Sequence, residues 1–389
     1  MEYEIVLQIF SGGFLNDTVL YETVEYKLNS VLPRLPVQKV IMGWSPGKAL
    51  YEKTADFLAK KNIEFYLWFP VFSETGMIRA QSPLADLWGS VLERAGDHRS
   101  EDFSFCCPND PQNIKNIIDI FEREFAGIPF TGIFLDKIRY PSFAQGQRSV
   151  FTCFCPHCQA KYRNENFDSD QLMEALSAPA SSPLGISAYR GGGAYSFEDN
   201  SISKFFELKA AFIFQGLQGL CQYFRGKGLK IGFDVFAPFL SAFTGQNLPL
   251  LSGLCDFMKP MMYRITNAPA GIPFELKALL RETNGPIEKK KRFLYDLLGL
   301  DPEKKDIDLA FVVNEVVNLV SSSVCPVYPG IEINRIKNLA EVHPDYVEET
   351  VHAYARAGIR SFVLSWDLLN APGENIDAVS RFFVDNFIL

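Results

Sequence analysis

Short runs of β-branched and aromatic residues recur along the chain, and most are followed by a stretch whose apolar positions repeat with helical spacing. The first pattern predicts buried strands and the second amphipathic helices, so their alternation predicts repeated βα units. Eight strands are predicted: Glu4 to Phe10, Lys39 to Trp44, Glu64 to Phe69, Thr131 to Ile138, Leu229 to Val235, Phe257 to Tyr263, Val327 to Ile333 and Arg360 to Trp366. Helical stretches fall between them at Thr23 to Leu32, Gly47 to Lys61, Pro111 to Phe125, Ile202 to Arg225, Leu248 to Cys255, Ile307 to Ser321 and Pro344 to Ala357, with Asn375 to Phe387 closing the chain. Eight strands alternating with eight helices fit a closed (β/α)8 TIM barrel, one domain over residues 1–389, better than an open sheet. No G-x-G-x-x-G or Walker fingerprint follows the first strand, and Gly191-Gly192-Gly193 is a lone tract in a loop.

The connections are unequal. Those leading from a helix into a strand are short, such as Lys61 to Ile63 and Ala357 to Ile359, whereas Pro70 to Asp110, Ser142 to Ser201 and Arg264 to Asp306 leave strand ends and are long. Long insertions at strand C-termini are where barrel enzymes build their sites. Within the second, Ser177 to Asn200 is rich in Ser, Ala, Pro and Gly and reads as a mobile flap or a solvated loop with no role.

Composition narrows the partners. The chain of 389 residues is 47% hydrophobic and 14% aromatic, enough for a large core, and carries a net charge of −8 with Lys289 to Arg292 as a single short basic cluster. That balance argues against nucleic acid or an anionic membrane as the main partner. The N-terminal stretch M-E-Y-E-I-V-L-Q has acids where a signal peptide carries basic residues, so a cytoplasmic protein is expected, with no segment apolar enough to span a bilayer.

Cysteines cluster rather than scatter. Cys153, Cys155 and Cys158 stand as C-F-C-P-H-C after the fourth strand, and Cys106-Cys107-Pro108 precedes the helix leading into it. Three thiolates plus one from the earlier pair predict a tetrahedral structural zinc site, against the alternative of buried free thiols. His157 is an alternative ligand. Cys221, Cys255 and Cys325 lie in apolar contexts and read as core.

The strand ends carry the chemistry. Phe130 to Pro141 reads F-T-G-I-F-L-D-K-I-R-Y-P, a buried strand finishing in a carboxylate, which must be tied into a charge network or kept for chemistry. The polar and aromatic residues at the predicted strand ends are Trp44, Trp68, Asp136, Arg139, Tyr140, Asp234, Tyr263, Arg264, Glu332, Asn334, Trp366 and Asp367. Small residues beside Asp234 and Glu332 leave room for a ligand. Three carboxylates and several aromatics around one mouth suit glycosidic cleavage: one carboxyl donates a proton to the leaving oxygen, another attacks or activates water, and flat rings face sugars. The competing readings are a non-catalytic carbohydrate-binding barrel, with Asp136 paired to Arg139 or Lys137 and Asp234 to Arg264, and a barrel of other chemistry holding Mg²⁺ on Asp136, Asp234 and Glu332.

The run G-I-F-L-D-K-I-R-Y-P resembles the G-I-x-L-D-x-I-R-Y-P strand of glycoside-hydrolase-like barrel families, and C-P-N-D-P followed by C-F-C-P-H-C-Q-A-K-Y-R resembles the zinc-binding cysteine motif of family-42 β-galactosidases. G-F-D-V-F-A-P, K-P-M-M-Y and S-W-D-L-L-N-A-P extend the likeness from about Val40 to the end. The resemblance implies zinc on Cys107, rather than Cys106, with Cys153, Cys155 and Cys158. It also implies Asp136 as a catalytic carboxylate, with Glu332 the expected partner and Asp234 the reserve. Trp44, Trp68, Arg139, Tyr140, Tyr263, Trp366 and Asp367 would shape the sugar subsites. Those galactosidases end the strand with Asn-Glu, where Leu135-Asp136 stands here.

Overall fold

The barrel strands form where the apolar runs lie: Glu4–Phe10 (β1), Val37–Gly43 (β2), Glu64–Pro70 (β3), Gly132–Asp136 (β4), Lys230–Val235 (β5), Phe257–Pro260 (β6), Gly330–Glu332 (β7) and Ser361–Ser365 (β8). The computed structural model describes residues 3–12, 19–73, 83–92, 104–178, 182–282, 286–304 and 307–386. All eight pair in parallel, in the order β6-β5-β4-β3-β2-β1-β8-β7. A parallel bridge between Met258 and Val327 joins the two ends and completes a (β/α)8 barrel. β6 and β7 are shorter than their apolar runs: β6 ends at Pro260 and β7 begins after Pro329, two residues that lack the N–H a ladder needs.

Side chains alternate across each strand, so two cores result. One, outside the barrel, packs the strands against the helices. The other fills the barrel interior with Val6, Tyr66, Phe134, Phe257, Tyr328 and Val363, and with Phe10, Trp44 and Trp68 towards the C-terminal mouth. Glycine makes the ring stack possible. A Cβ on Gly232 would lie 2.5 Å from the Phe257 ring and 2.7 Å from the Phe134 ring, which stack at 5.8 Å. At β7 a Cβ on Gly330 would meet Lys259, Tyr263 and Ser365 at 3.0, 3.1 and 3.2 Å. The space expected beside Asp234 and Glu332 is therefore taken up by this protein's own side chains.

The long connections hold more structure than their composition suggests. Ile272–Glu282 and Ile287–Leu298 are helices inside the third, and Pro156–Asn164 and Ser169–Ser177 inside the second. The predicted helix Leu248 to Cys255 breaks into an α-turn, Leu248–Leu251, and a 3-10 turn, Ser252–Leu254, in a stretch that includes Gly253. Within the predicted flap, Ile186–Tyr189 and Tyr195–Phe197 pair as an antiparallel hairpin. It is anchored: Tyr195 donates to the Phe239 carbonyl at 2.6 Å and Tyr189 to the buried Glu315 at 2.6 Å, so the flap is packed rather than loose over its described residues. Residues 74–82, 93–103, 179–181, 283–285 and 305–306 of the long connections, and Phe387 of the closing helix, lie outside the described residues.

Candidate functional site

β4 and β5 set the site by register. Phe134 pairs with Gly232, and two residues further along each strand, on the same inward face, stand Asp136 and Asp234. Asp136 is 5% exposed and held by two donors: its Oδ2 accepts from Trp68 Nε1 at 3.0 Å and its Oδ1 from the Lys137 amide. The chain turns sharply there, Lys137 taking a left-handed φ of 53° with its ammonium over the Trp44 ring. Trp68 packs edge-on against Trp44 and Phe10, at 5.5 and 5.9 Å between centroids.

Asp234 and Lys259 are register partners on β5 and β6, so their side chains leave the same face. The ammonium lies 3.0 Å from Asp234 Oδ2, with both side chains almost fully buried, and donates onward to the Tyr263 hydroxyl at 2.5 Å. The amide of buried Gln8 stands near the Asp234 carboxylate and favours its charged form. Burial pushes the Asp234 carboxyl up to about 7, against the pull of Lys259, and the charge of Asp136 pushes in the same direction as burial. Burial likewise lowers the Lys259 ammonium below its ordinary range, which Asp234 and Asp136 partly offset. Lys259 was not among the predicted site residues. Its signal was there to read, a lysine inside the apolar run F-M-K-P.

Glu332 sits differently. Its two oxygens accept from the amides of Arg264, Ile265 and Thr266, from the Thr266 hydroxyl, and from the Tyr346 hydroxyl at 2.5 Å. This clasp anchors the connection that leaves β6. Asn334 and Asp367 are also committed to backbone: Asn334 Oδ1 accepts from the Trp366 amide at 2.7 Å, and Asp367 Oδ1 from the Phe10 amide at 3.0 Å. Trp366 is half-buried.

Among the described residues Asp234 does not pair with Arg264. Asp234 pairs with Lys259, while Arg264 reaches the Ile307 carbonyl, Glu349 at 3.6 Å and the Tyr346 ring. The Arg139 guanidinium lies over the rings of Phe105 and Phe236 and donates to the Tyr140 carbonyl. Tyr140 points away from the barrel interior, its ring facing the ammonium of buried Lys209 at 5.1 Å. It packs in the outer core and does not line the mouth.

The second cluster is made of sulfur. The Sγ atoms of Cys107, Cys153, Cys155 and Cys158 all lie within 4.8 Å of one another, with Cys107 3.4 Å from Cys158 and 3.5 Å from Cys155. Four thiolates at about 2.3 Å from a zinc ion would stand about 3.8 Å apart, so the group has the dimensions of a tetrahedral metal site. Asn109 Nδ2 donates to Cys158 Sγ at 3.2 Å. Contacts among the thiols, that with Cys153 first, hold Cys107 well above the ordinary thiol range, and the contact with Cys107 first favours the thiolate at Cys155. Cys106 lies outside the group, and His157 turns to Asp110 at 3.7 Å. Among the described residues these four cysteines are the one group of three or more side chains able to share an ion; Asp136, Asp234 and Glu332 do not form one. Cys221 and Cys255 are buried as expected, but Cys325 is half-exposed, 3.5 Å from Cys255.

No family model and no curated protein matches the chain. Solved structures do. The glycoside hydrolase domain of PgaB (BpsB) from Bordetella bronchiseptica aligns over 98% of both chains at 12% identity with a TM-score of 0.61. The catalytic domain of a β-amylase from Paenibacillus polymyxa aligns over 99% of this chain and 98% of its own, at 10% identity and a TM-score of 0.54. A class V chitinase from Pseudomonas fluorescens Pf-5 covers 96% of this chain and 98% of its own, at 8% identity and a TM-score of 0.50. At these identities the likeness is one of fold: the chain is a (β/α)8 barrel.

Proposed function

We propose that the protein is a glycoside hydrolase acting on an oligosaccharide or glycoside, with Asp136 and Asp234 as its carboxyl pair. The carrying observation is their placement on adjacent strands at one mouth, with Asp234 held near neutrality by burial. A carboxyl titrating at about 7 keeps a useful protonated fraction at neutral pH, so Asp234 donates to the leaving glycosidic oxygen. Its new charge is met by Lys259 at 3.0 Å. Asp136, fixed by Trp68 and the Lys137 amide, is the nucleophile or the base that activates water. Glu332, which the sequence offered as partner, holds the loop that carries Tyr263 and Arg264 in place.

The neighbours in fold are named as carbohydrate-active enzymes, which supports this choice among the many chemistries a barrel hosts. The cysteine group is assigned as a structural zinc site on Cys107, Cys153, Cys155 and Cys158, since four thiolates leave no open coordination position for substrate. The test is hydrolysis across a panel of aryl glycosides and natural oligosaccharides. Asp136→Asn is expected to abolish it with the fold intact. Full activity in that variant, or a silent panel with the unaltered protein, would sink the assignment.

A further inference from the structure

Trp88 departs from the burial of Trp44 and Trp68. Trp44 and Trp68 are 6% and 5% exposed, whereas Trp88 is 41% exposed, beside Val91 at 54%. Trp88 stands in the connection that leaves β3, on the same end of the barrel as Asp136. A large ring left in water forgoes burial, and it is informative when it is also held rigid.

Asp86 holds the turn that carries Trp88, and Arg148 and Phe151 pack against its ring. Asp86 is a buried carboxylate whose Oδ1 accepts from the amides of Trp88 at 3.0 Å and Ser90 at 2.8 Å, and whose Oδ2 pairs with Arg148 Nε at 2.9 Å. The Arg148 guanidinium, with its side chain 57% exposed, lies 4.9 Å from the indole centroid, and the Phe151 ring meets the indole edge-on at 6.5 Å. The turn is sewn to the cysteine loop. Asp86 bridges Thr152, the Leu87 amide donates to the Phe151 carbonyl at 3.1 Å, and the Phe154 amide to the Ala85 carbonyl at 2.8 Å. The cysteine group thereby braces the block that presents Trp88.

We propose that Trp88 and Arg148 form an outer carbohydrate subsite, taking a pyranose ring of an oligosaccharide at a distance from the bond that Asp136 and Asp234 address. The choice of ligand rests on the glycosidase reading. The indole area left open matches the flat array of C–H groups on one side of a pyranose, and the exposed guanidinium of Arg148, which lies over the ring itself, supplies donors for ring hydroxyls. Asp86 fixes the backbone of the turn and the Arg148 guanidinium, which with Phe151 packs the indole, and this lowers the ordering cost of binding.

Binding to Asp136→Asn protein, which does not consume its ligand, tests the subsite by calorimetry and indole fluorescence. The probes are hexasaccharides of β-1,4-linked N-acetylglucosamine, β-1,4-linked glucose and α-1,4-linked glucose, with the monosaccharides N-acetylglucosamine and glucose. A hexasaccharide is expected to bind more tightly than its monosaccharide, with a fluorescence change absent after Trp88→Ala. Trp88→Ala is expected to reduce that preference about tenfold, and Trp88→Phe to restore most of it. Equal hexasaccharide affinity with and without the indole overturns the proposal, as does failure of every hexasaccharide to bind. A Trp88→Ala protein that changes its oligomeric state in sedimentation, with sugar affinity unmoved, makes the indole an interface residue and overturns it too. Trp88-dependent binding in a protein that hydrolyses no glycoside would keep the subsite and remove the catalytic assignment.

Discussion

Replacing Asp234 by asparagine should change how stability depends on pH, and the size follows from the structure. In the folded chain burial raises the Asp234 carboxyl from 3.8 to about 7. The folded state therefore binds this proton more tightly than the unfolded state, and the group's contribution to stability falls as pH rises from 3.8 to about 7 and is constant above. At 1.36 kcal/mol per pH unit, that window is worth roughly 4 kcal/mol. An asparagine side chain at this position cannot ionise, so the stability of wild type relative to Asp234→Asn should decline by about that amount between pH 4 and 7.5. Removing the carboxylate also strips Lys259 of its counterion, so the double variant Asp234→Asn with Lys259→Met belongs in the comparison and should show the same loss of pH dependence. The assay is urea denaturation across that range, with a carboxyl-carbon NMR titration that assigns Asp234 by its absence in the variant. A stability difference that stays flat with pH, together with an Asp234 midpoint below 5, would refute the argument that burial outweighs the lysine.

Glu332→Ala should destabilise by about 3 kcal/mol or more, because three amides and two hydroxyls lose their acceptor at once; thermal melting that shows less than about 1 kcal/mol would dissolve the clasp. Metal analysis of protein purified without chelator should find one zinc per chain, and Cys155→Ser or strong chelation should lower the melting temperature. Protein free of zinc and indifferent to chelation would leave the cysteines as packed thiols. If the carboxyl pair works as assigned, Lys259→Met should shift the alkaline limb of the pH–rate profile upward, since the ammonium lowers the Asp234 proton affinity; an unmoved or downward-shifted limb would count against Asp234 as the acid.

What the sequence determined by itself is the alternation of elements and which residues stand at strand ends. Period-two and helical spacing are local properties, so β1 and β3 begin where their apolar runs begin; spacing likewise grouped Cys153, Cys155 and Cys158 with one of Cys106 and Cys107, the resemblance favoured Cys107, and the structure brings Cys107 to the group. Asp136 was legible because a carboxylate ending an apolar strand is costly without a purpose. Its surroundings were not. Whether Asp136 faces Asp234 or Glu332 depends on the register of non-adjacent segments and on which backbone amides point at each carboxylate, and neither leaves a mark in the local pattern. Only the tertiary structure showed that Glu332 is consumed by the amides of Arg264, Ile265 and Thr266, that Lys259 rather than Arg264 meets Asp234, and that Tyr140 turns outward to Lys209. The physical reason is common to all three. A side chain's partner is chosen by three-dimensional proximity in a low-dielectric interior, where the closest opposite charge or donor prevails whatever its distance along the chain.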